Sequence, residues 1–348
     1  MGLQPNPELY NLPFVTDSFR GMPYLSVGRS GLRASKIGLG TWKIGYPETG
    51  DGSRVDEKGA FKIFDRAVEL GVTFWDTANR YNASSGNSER IIGKWLKRNP
   101  DQRRNVVIAT KLFGCMDGST PNHCRLGRLN IKESVYASLE RLQIDHVELL
   151  YFHGYDPVTP LDESLGAIDD LISRDFVRYL GVSNFTRENV RAYASLEKQG
   201  YPRVVAVQNG FNLLEGPRDG EEGVLDFCRE NHLSFVAWGP LGAGLLTDRY
   251  LDSGKVGRGD RLYDENVLDQ KLTPENREKL LRLDGLSNQW GIRISEIVLA
   301  YMLTLPGMGP AIPSASNVQQ LESNARAGGI ELSREQRMEI ENTLGIGG

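Results

Sequence analysis

Short apolar runs alternate with amphipathic stretches over most of this chain. Each run is almost continuously apolar, as parallel strands require when helices cover both faces of their sheet. Between the runs, apolar residues recur every three or four positions, as at Phe61, Phe64 and Val68, which predicts helices with one buried face. The predicted strands are 35–41, 72–75, 106–110, 147–152, 177–182, 204–208, 234–238 and 309–312. The predicted helices are 57–70, 88–97, 131–142, 161–173, 222–231, 274–289, 295–303 and 333–345.

Eight strand-and-helix units predict a single (β/α)8 TIM barrel, an α/β fold. The competing architecture is an open doubly wound sheet, but a dinucleotide-binding sheet of that kind usually carries an early GxGxxG turn, and the sequence has none. Although 348 residues would on average make about two domains, no low-complexity linker divides them. We expect an N-terminal extension with a barrel-bottom hairpin (1–34), the barrel (35–330), and a C-terminal helix and tail (331–348).

Composition and charge exclude several classes of function. The chain carries 41 basic and 45 acidic residues, a net charge of −4, which argues against a nucleic-acid partner. No apolar stretch approaches the ~18 uncharged residues of a membrane span, and the N-terminus lacks a secretory signal. We therefore expect a cytoplasmic protein with no membrane partner. The three cysteines, Cys115, Cys124 and Cys228, form neither a CxxC pair nor an even set, so reduced thiols are expected.

Polar residues at the carboxyl ends of the predicted strands should meet in one pocket. Four of them form a chemical set: Asp76, Tyr81, Lys111 and His153. A lysine that ends an apolar strand is partly desolvated and needs a partner such as Asp76 to stay charged. A charged Lys111 would lower the pKa of a nearby phenol and prepare Tyr81 for acid–base chemistry.

Each of these four residues also has a purely structural interpretation. Asp76 could cap the following turn, and Tyr81 could be a packed surface tyrosine. Lys111 could extend to solvent from the strand end, and His153 could be a satisfied structural histidine. Their joint occurrence at the ends of three successive strands favours a catalytic site.

Several short motifs carry a family resemblance: LGTW at 39–42, DTANRY at 76–81, ATK at 109–111, YFH at 151–153, GVSN at 181–184 and WGPLGAGLL at 238–246. With them the chain resembles the aldo-keto reductase family from about Gly28 to Ala327. It looks closest to the branch that contains potassium-channel beta subunits and their bacterial reductase relatives. ASLERLQID at 137–145, Trp238 and SNVQQLESN at 316–324 carry that finer likeness.

The resemblance implies NADP(H)-dependent reduction of an aldehyde or ketone. It implies that Tyr81 donates a proton to the substrate carbonyl and that Lys111 and Asp76 tune the acidity of Tyr81. It also implies that His153 orients the carbonyl oxygen. A hydride from the nicotinamide would complete the reaction, with no covalent enzyme intermediate. The dipoles of Tyr81 and His153 would stabilise the developing alkoxide.

A nicotinamide needs an aromatic face and partners for its carboxamide. Trp238 could supply the face, and Ser183, Asn184 and Gln208 the hydrogen bonds. Alternatively, Trp238 fills the core and the pair Ser183–Asn184 caps the next helix. The resemblance favours the cofactor role and implies that Gly40, Thr41 and Trp42 complete this end of the site.

The phosphates should lie near two further segments. A run of small residues lets backbone N–H groups approach a pyrophosphate, namely Gly239, Pro240, Leu241, Gly242, Ala243 and Gly244. The resemblance makes Arg249 a phosphate contact, with either Arg258 or Arg261 as its companion.

A helix after the eighth strand is implied to hold the adenosine 2′-phosphate and the adenine. Its candidate residues are Ser314, Ser316, Gln320, Ser323 and Asn324. Gln320 stands where many family members have arginine, and Ser323 where glutamate is usual. The cofactor is expected to be NADP, with NAD left open.

Two other functions compete with the reductase. The channel-subunit likeness suggests a nicotinamide-sensing binding subunit with little turnover, but those subunits carry asparagine where this chain has His153. A barrel hydrolase using metal or paired carboxylates would need clustered ligands, and the histidines show no HxH or HExxH spacing. We therefore expect no metal.

The substrate is less well specified than the reaction. The pocket rim is expected from 43–54, 115–128, 212–219 and the end of the chain, with no long C-terminal lid and a wide, permissive pocket. Within that rim Arg125, Arg128 and His123 suggest an anionic or sugar-like carbonyl compound, although exposed basic residues are usually only solvated.

Overall fold

A computed structural model describes residues 17–116 and 118–346. Eight parallel strands follow one another around a nearly closed barrel, with helices between them, so the predicted single-domain (β/α)8 fold is confirmed. Parallel bridges from Ile37 to Ala311 and from Gly40 to Ser314 join the first strand to the last. The strands are β1 (Leu39–Gly40), β2 (Phe74–Asp76), β3 (Val107–Leu112), β4 (Val147–Phe152), β5 (Val177–Ser183), β6 (Val204–Asn212), β7 (Ser234–Trp238) and β8 (Met308–Ile312).

Helices surround this barrel and bury their apolar faces against it. In α1, Ala60, Ile63, Phe64, Ala67 and Val68 are buried, and the Asp56 carboxylate caps the helix by accepting from Gly59 N. The longer helices are α1 (Glu57–Glu69), α2 (Asn87–Arg98), α3 (Arg128–Leu142), α4 (Leu161–Ser173), α5 (Arg187–Ser195), α6 (Val224–Glu230), α7 (Pro274–Trp290), α8 (Ile294–Met302), α9 (Val318–Ala327) and α10 (Arg334–Leu344).

The first strand differs most from its prediction. The apolar run 35–41 is divided, because Arg33–Ser35 pairs antiparallel with Met22–Ser26 and only Leu39–Gly40 joins the barrel. The hairpin Met22–Ser26/Arg33–Ser35 closes the amino-terminal end of the barrel, where Gly28 N donates to Ser234 Oγ at 2.7 Å. The part of the predicted N-terminal extension before residue 17 lies outside the described residues.

The expectation that all three cysteines are reduced thiols is wrong for one pair. Cys115 and Cys124 form a disulfide, whereas Cys228 is free and buried. The chain folds back directly after β3, where Arg125 N donates to Phe113 O at 2.5 Å and brings the two cysteines together. A separation of nine residues does not reveal such a loop closure in the sequence.

Among the described residues, no helix is both long and apolar enough to cross a bilayer.

Candidate active site

The predicted catalytic residues arise from three neighbouring strands. Asp76 ends β2, Lys111 lies in β3, and His153 follows β4 directly. These strands are adjacent and parallel, with Asp76 opposite Ala109 and Lys111 opposite Tyr151. Their carboxyl ends therefore deliver the side chains to one face of the barrel.

A buried ammonium group is the centre of this cluster. Lys111 Nζ donates to Asp76 Oδ1 at 2.6 Å, to Thr77 O at 2.8 Å and to Tyr81 Oη at 2.7 Å. The side chains of Lys111 and Asp76 are each only 1% exposed. Asp76 also accepts from Tyr81 Oη at 3.2 Å and from Gln208 Nε2 at 2.7 Å. Because its oxygens are used in this way, Asp76 does not cap the following turn, and buried Lys111 does not extend to solvent.

The environment raises the pKa of Tyr81 instead of lowering it. Burial of the phenol is the main cause, and the charge of Asp76 adds to it, so the pKa lies well above its usual value near 10. Burial also lowers the pKa of Lys111, and Asp76 opposes that effect. The net pKa of Tyr81 is therefore not lowered as expected, because desolvation and the charge of Asp76 determine its direction. Tyr81 remains a protonated phenol, which can donate a proton.

His153 faces the same phenol. The two ring centroids are 6.0 Å apart, with the rings inclined at 72°. Burial, together with the charges of Lys111 and Arg80, lowers the pKa of His153 to about 3. Its Nδ1 is buried and has no hydrogen-bond partner among the described residues. The imidazole is therefore neutral near pH 7 and carries a single N–H.

A left-handed turn follows the phenol. Asn82, Ala83 and Ser84 all have positive φ, at 57°, 56° and 61°. Such backbone costs about 1–2 kcal/mol per residue outside glycine, so neighbouring contacts must hold it. Asn82 Nδ2 supplies one by donating to Ile44 O at 2.5 Å.

The carboxamide candidates lie next to His153. Asn184 Nδ2 donates to His153 O at 2.9 Å, and its Oδ1 accepts from Trp238 Nε1 at 3.1 Å. The pair Ser183–Asn184 does not cap the following helix. Thr186 is the N-cap of that helix, and its hydroxyl accepts from Asn189 N. Ser183 and Gln208 are each 1% exposed, at the carboxyl end of β5 and within β6.

The start of the barrel completes this end of the site. Thr41 Oγ1 donates to Asp76 O at 2.9 Å, which ties the segment after β1 to the backbone of Asp76. Trp42 is 43% exposed, and the Arg261 guanidinium lies 4.7 Å from its ring centroid. Gly40 packs closely, since a Cβ there would lie 2.9 Å from Ile312 O.

One residue near the nicotinamide candidates was missed by sequence reasoning. The Arg218 guanidinium lies 5.3 Å from the Trp238 ring centroid, and its Nη1 is 3.4 Å from Asn184 Oδ1. The sequence gives no periodic signal for it, because it follows β6 in an irregular loop. Its position depends on how that loop folds back over β7.

The glycine-rich segment 239–244 has an uncovered backbone. Gly239, Gly242 and Gly244 have positive φ. A Cβ at Gly239 would meet nothing within 4 Å, and at Gly242 and Gly244 the nearest atoms are 3.7 Å away. Pro240 is buried, whereas Leu241 and Ala243 are half-buried. Open space therefore lies beside Gly239, whereas Gly242 and Gly244 are in ordinary van der Waals contact with their neighbours.

The candidate phosphate arginines are not equivalent. Arg249 pairs with Asp260 through two hydrogen bonds, Nε–Oδ1 at 2.5 Å and Nη2–Oδ2 at 2.7 Å. Arg261 pairs with Glu265 and lies on Trp42. Arg258 is exposed, with no ion pair among the described residues. A phosphate contact by Arg249 would therefore have to share or displace Asp260.

The residues after β8 divide into two groups. Ser314, Ser316 and Gln320 are exposed near the amino terminus of α9, with Ser316 N donating to Gln320 Oε1 at 2.7 Å. Asn324 is buried and its Nδ2 lies 3.4 Å from Ser314 O. Ser323 is separated from this group, because it is buried and donates to Glu296 Oε1 of α8 at 2.9 Å.

Comparison with known proteins agrees with this geometry. The model of the aldo/keto reductase family matches residues 36–344. The chain belongs to the aldo/keto reductase family. It is an oxidoreductase by that membership, and among the described residues no group of His, Cys, Asp and Glu is arranged to hold a metal ion.

Relatives cover almost the whole chain. An uncharacterized oxidoreductase of Bacillus subtilis (strain 168), YrpG, is 35% identical over 90% of this chain and 93% of its own. The aldo-keto reductase YhdN of the same organism is 33% identical over 93% and 94%. A probable voltage-gated potassium channel subunit beta of Arabidopsis thaliana is 27% identical over 88% and 91%. These relatives confirm both the family resemblance and its branch.

Proposed function

We propose that this aldo/keto reductase uses NADP(H) to reduce the carbonyl group of a small aldehyde or ketone to an alcohol, with Tyr81 as the proton donor. The observation that carries the proposal is the contact of a protonated phenol with the buried Lys111–Asp76 pair, beside a neutral imidazole. Among the described residues, no group of His, Cys, Asp and Glu is arranged to hold a metal ion that would support hydrolysis instead.

Four residues of the cluster have distinct roles in stabilising the alkoxide that forms from the substrate carbonyl. Tyr81 and His153 donate hydrogen bonds to the carbonyl oxygen, and the negative charge that develops there is stabilised by these fixed dipoles. Tyr81 then transfers its proton to that oxygen. The phenolate left behind accepts from Lys111 Nζ, whose charge favours this anionic state although burial opposes it in the resting protein. Asp76 keeps Lys111 charged and positioned.

The residues present fit a nicotinamide cofactor. When bound, the cofactor supplies the hydride that reduces the carbonyl carbon. Trp238 offers a half-buried ring, Asn184 an amide beside it, and segment 239–244 an open backbone. The amino terminus of α9 offers backbone N–H groups for a 2′-phosphate. Gln320 and the serines at 314 and 316 would recognise it without a cation, which is why NAD is the alternative.

A phenylalanine at position 81 tests the proposal. Tyr81→Phe keeps the ring but removes the proton, and it should lower kcat for aldehyde reduction by at least about 10²-fold. The assay is oxidation of NADPH, followed by absorbance, with simple aldehydes; NADH should be the poorer reductant. The matched control is Tyr136→Phe, an exposed tyrosine on α3 that should not alter turnover. Full activity of Tyr81→Phe would refute the assignment.

The potassium-channel relative suggests a second candidate, a nicotinamide-sensing subunit with little turnover. It predicts that NADPH quenches the fluorescence of Trp238 and Trp42 at micromolar concentration while no carbonyl compound is reduced. The neutral His153 beside Tyr81 favours the reductase, because a sensor has no need of a second hydrogen-bond donor to a carbonyl oxygen. Fluorescence titration and turnover on the same sample decide between them.

A further inference from the structure

Arg80 is a cation at the catalytic end of the barrel with no charged partner. It directly precedes Tyr81 and is exposed. Its side chain makes no hydrogen bond or ion pair among the described residues, whereas Lys111 is neutralised by Asp76 and Arg249 by Asp260. An isolated guanidinium retains its full capacity to bind a carboxylate or phosphate in two-pronged geometry.

The guanidinium is held against the loop that follows β3. A Cβ built on Gly114 would lie 2.6 Å from Arg80 Nη1 and 2.9 Å from its Cζ, so an alanine there would make the guanidinium shift. The neighbouring Phe113 ring lies within 3.6 Å of the corresponding position at Gly154, the residue after His153. Arg80 therefore lies against Gly114, and the adjacent Phe113 ring lies against the residue that follows His153.

The charge acts at the catalytic histidine. Arg80 is close enough to contribute to the low pKa of His153, while the buried Lys111 contributes from the other side. Arg80 follows β2, whereas the segments proposed for the cofactor phosphates follow β7 and β8, on a different part of the barrel rim.

We propose that Arg80 is a specificity residue that selects carbonyl substrates carrying an anionic group, a carboxylate or phosphate, at a short distance from the reacting carbon. The inference rests on the proposed function, and it narrows the substrate class of the same site. The carbonyl oxygen is placed at Tyr81 and His153, the apolar body of the substrate lies along Phe113, and the anion pairs with the Arg80 guanidinium.

Matched aldehydes test this selection. 4-Carboxybenzaldehyde and 4-nitrobenzaldehyde have similar shape and both carry an electron-withdrawing group, but only the first is an anion. The 3-substituted pair tests the distance. A charge-assisted hydrogen bond corresponds to about 10- to 100-fold in kcat/KM, so the ratio of carboxy to nitro substrate should fall by that factor in Arg80→Gln. The loss should be mainly in KM, because the contact is made equally in the ground and transition states.

Three variants test whether the preference for the carboxy substrate arises from the Arg80 guanidinium. Arg80→Lys should restore part of the ratio, and Gly114→Ala should lower it by displacing the guanidinium while keeping its charge. Arg90→Gln, at an exposed arginine on α2, makes the same change of net charge and should leave the ratio unaltered. Raising ionic strength should lower the ratio in the wild-type protein but not in Arg80→Gln.

The outcomes separate this inference from the proposed function. Turnover of both aldehydes with the same ratio in wild type and Arg80→Gln would overturn the role of Arg80 and leave the reductase intact. Turnover of neither aldehyde with NADPH or NADH would overturn the proposed function and this inference with it. For a phosphate-bearing substrate, glyceraldehyde 3-phosphate against glyceraldehyde gives the same comparison, and a preference seen only in that pair would assign the site to phosphate.

Discussion

Lys111 keeps its charge in a place from which water is almost excluded. An isolated ammonium there would lose its proton, since desolvation of a charge costs several kcal/mol. Asp76 on the neighbouring strand, the Thr77 carbonyl and the Tyr81 hydroxyl together replace the lost water. Such a cluster is costly for the fold, which agrees with the proposed role of holding a phenol and stabilising its anion during turnover.

His153 gives a pH-dependent prediction at the same scale. In the folded protein its pKa is lowered to about 3, whereas in the unfolded chain it is about 6.5. Between these values the unfolded chain binds one more proton, so stability is lost as pH falls from about 6.5 towards 3, by at most about 1.4 kcal/mol per pH unit. Above pH 7 this contribution is constant.

The difference between two urea titrations isolates this contribution of His153 to the unfolding free energy. The unfolding free energy of wild type minus that of His153→Gln should decrease as pH falls from 7 to 4, because only the wild type has this titrating group. His153→Asn should give the same difference in slope, although its smaller side chain changes the offset. A difference that does not vary with pH would contradict the neutral, buried imidazole.

Residues at strand ends were the most predictable part of the site. The sequence places Asp76, Lys111 and His153 after apolar runs, and parallel strands must bring such positions together. The pKa of Tyr81 could not be predicted in this way, because its direction depends on how deeply the phenol is buried relative to Asp76. The positions of the Arg80 and Arg218 side chains could not be predicted either, because loop folding, not strand spacing, determines where they lie.

Two helical glycines show how differently the elements pack. In α2, a Cβ at Gly93 would lie 2.4 Å from Arg141 O and 2.7 Å from Leu142 O, at the carboxyl end of α3. In α7, a Cβ at Gly285 would meet nothing within 4 Å. Gly93 therefore permits the close approach of two helices, whereas Gly285 carries only the conformational cost of a glycine in a helix.

Alanine at these positions should act in opposite directions. Gly93→Ala should destabilise the protein by about 1–3 kcal/mol, because the backbone of α3 must move away. Gly285→Ala should stabilise it by about 0.5–1 kcal/mol through helix propensity alone. Urea unfolding of both variants and of wild type measures this contrast, and a similar change of the same sign in both would refute the packing argument.

Strands buried on both faces could be predicted from the sequence with the right bounds, whereas features set by tertiary contacts could not. Apolar runs located β4 and β7 with the bounds that the structure has, since both strands are buried on two faces. The run at 35–41 is divided in the structure because Ser35 belongs to the hairpin strand that pairs with Met22–Ser26. Tertiary contacts determine this pairing, and hydrophobic patterning does not report them. The disulfide between Cys115 and Cys124 depends equally on loop closure, which hydrophobic patterning does not report.

At the scale of the whole molecule, the interior of the barrel is a separate core that the hairpin closes. Val27, Leu32 and Ala34 of the hairpin segment pack with side chains inside the barrel. The barrel members of this cluster are Phe74, Ala109, Leu149, Tyr151, Val205, Ala206, Val236 and Ile312. The core extends from the closed end towards the cluster around Lys111, where Tyr151 lies opposite Lys111 in the strand register. The hairpin therefore cannot detach without exposing the inside of the barrel.

Truncation of a hairpin side chain should accordingly weaken the entire fold without impairing the reaction. Leu32→Ala should lower the unfolding free energy by about 2–4 kcal/mol, whereas Val158→Ala, at a side chain 70% exposed, should have little effect. Both variants should retain the wild-type kcat at temperatures well below unfolding, because the hairpin lies at the end of the barrel opposite Tyr81. Loss of activity and loss of tertiary structure by near-UV circular dichroism should coincide in a single transition. An early step that releases the hairpin while activity persists would show instead that it is an independent unit and not the closure of the inner core.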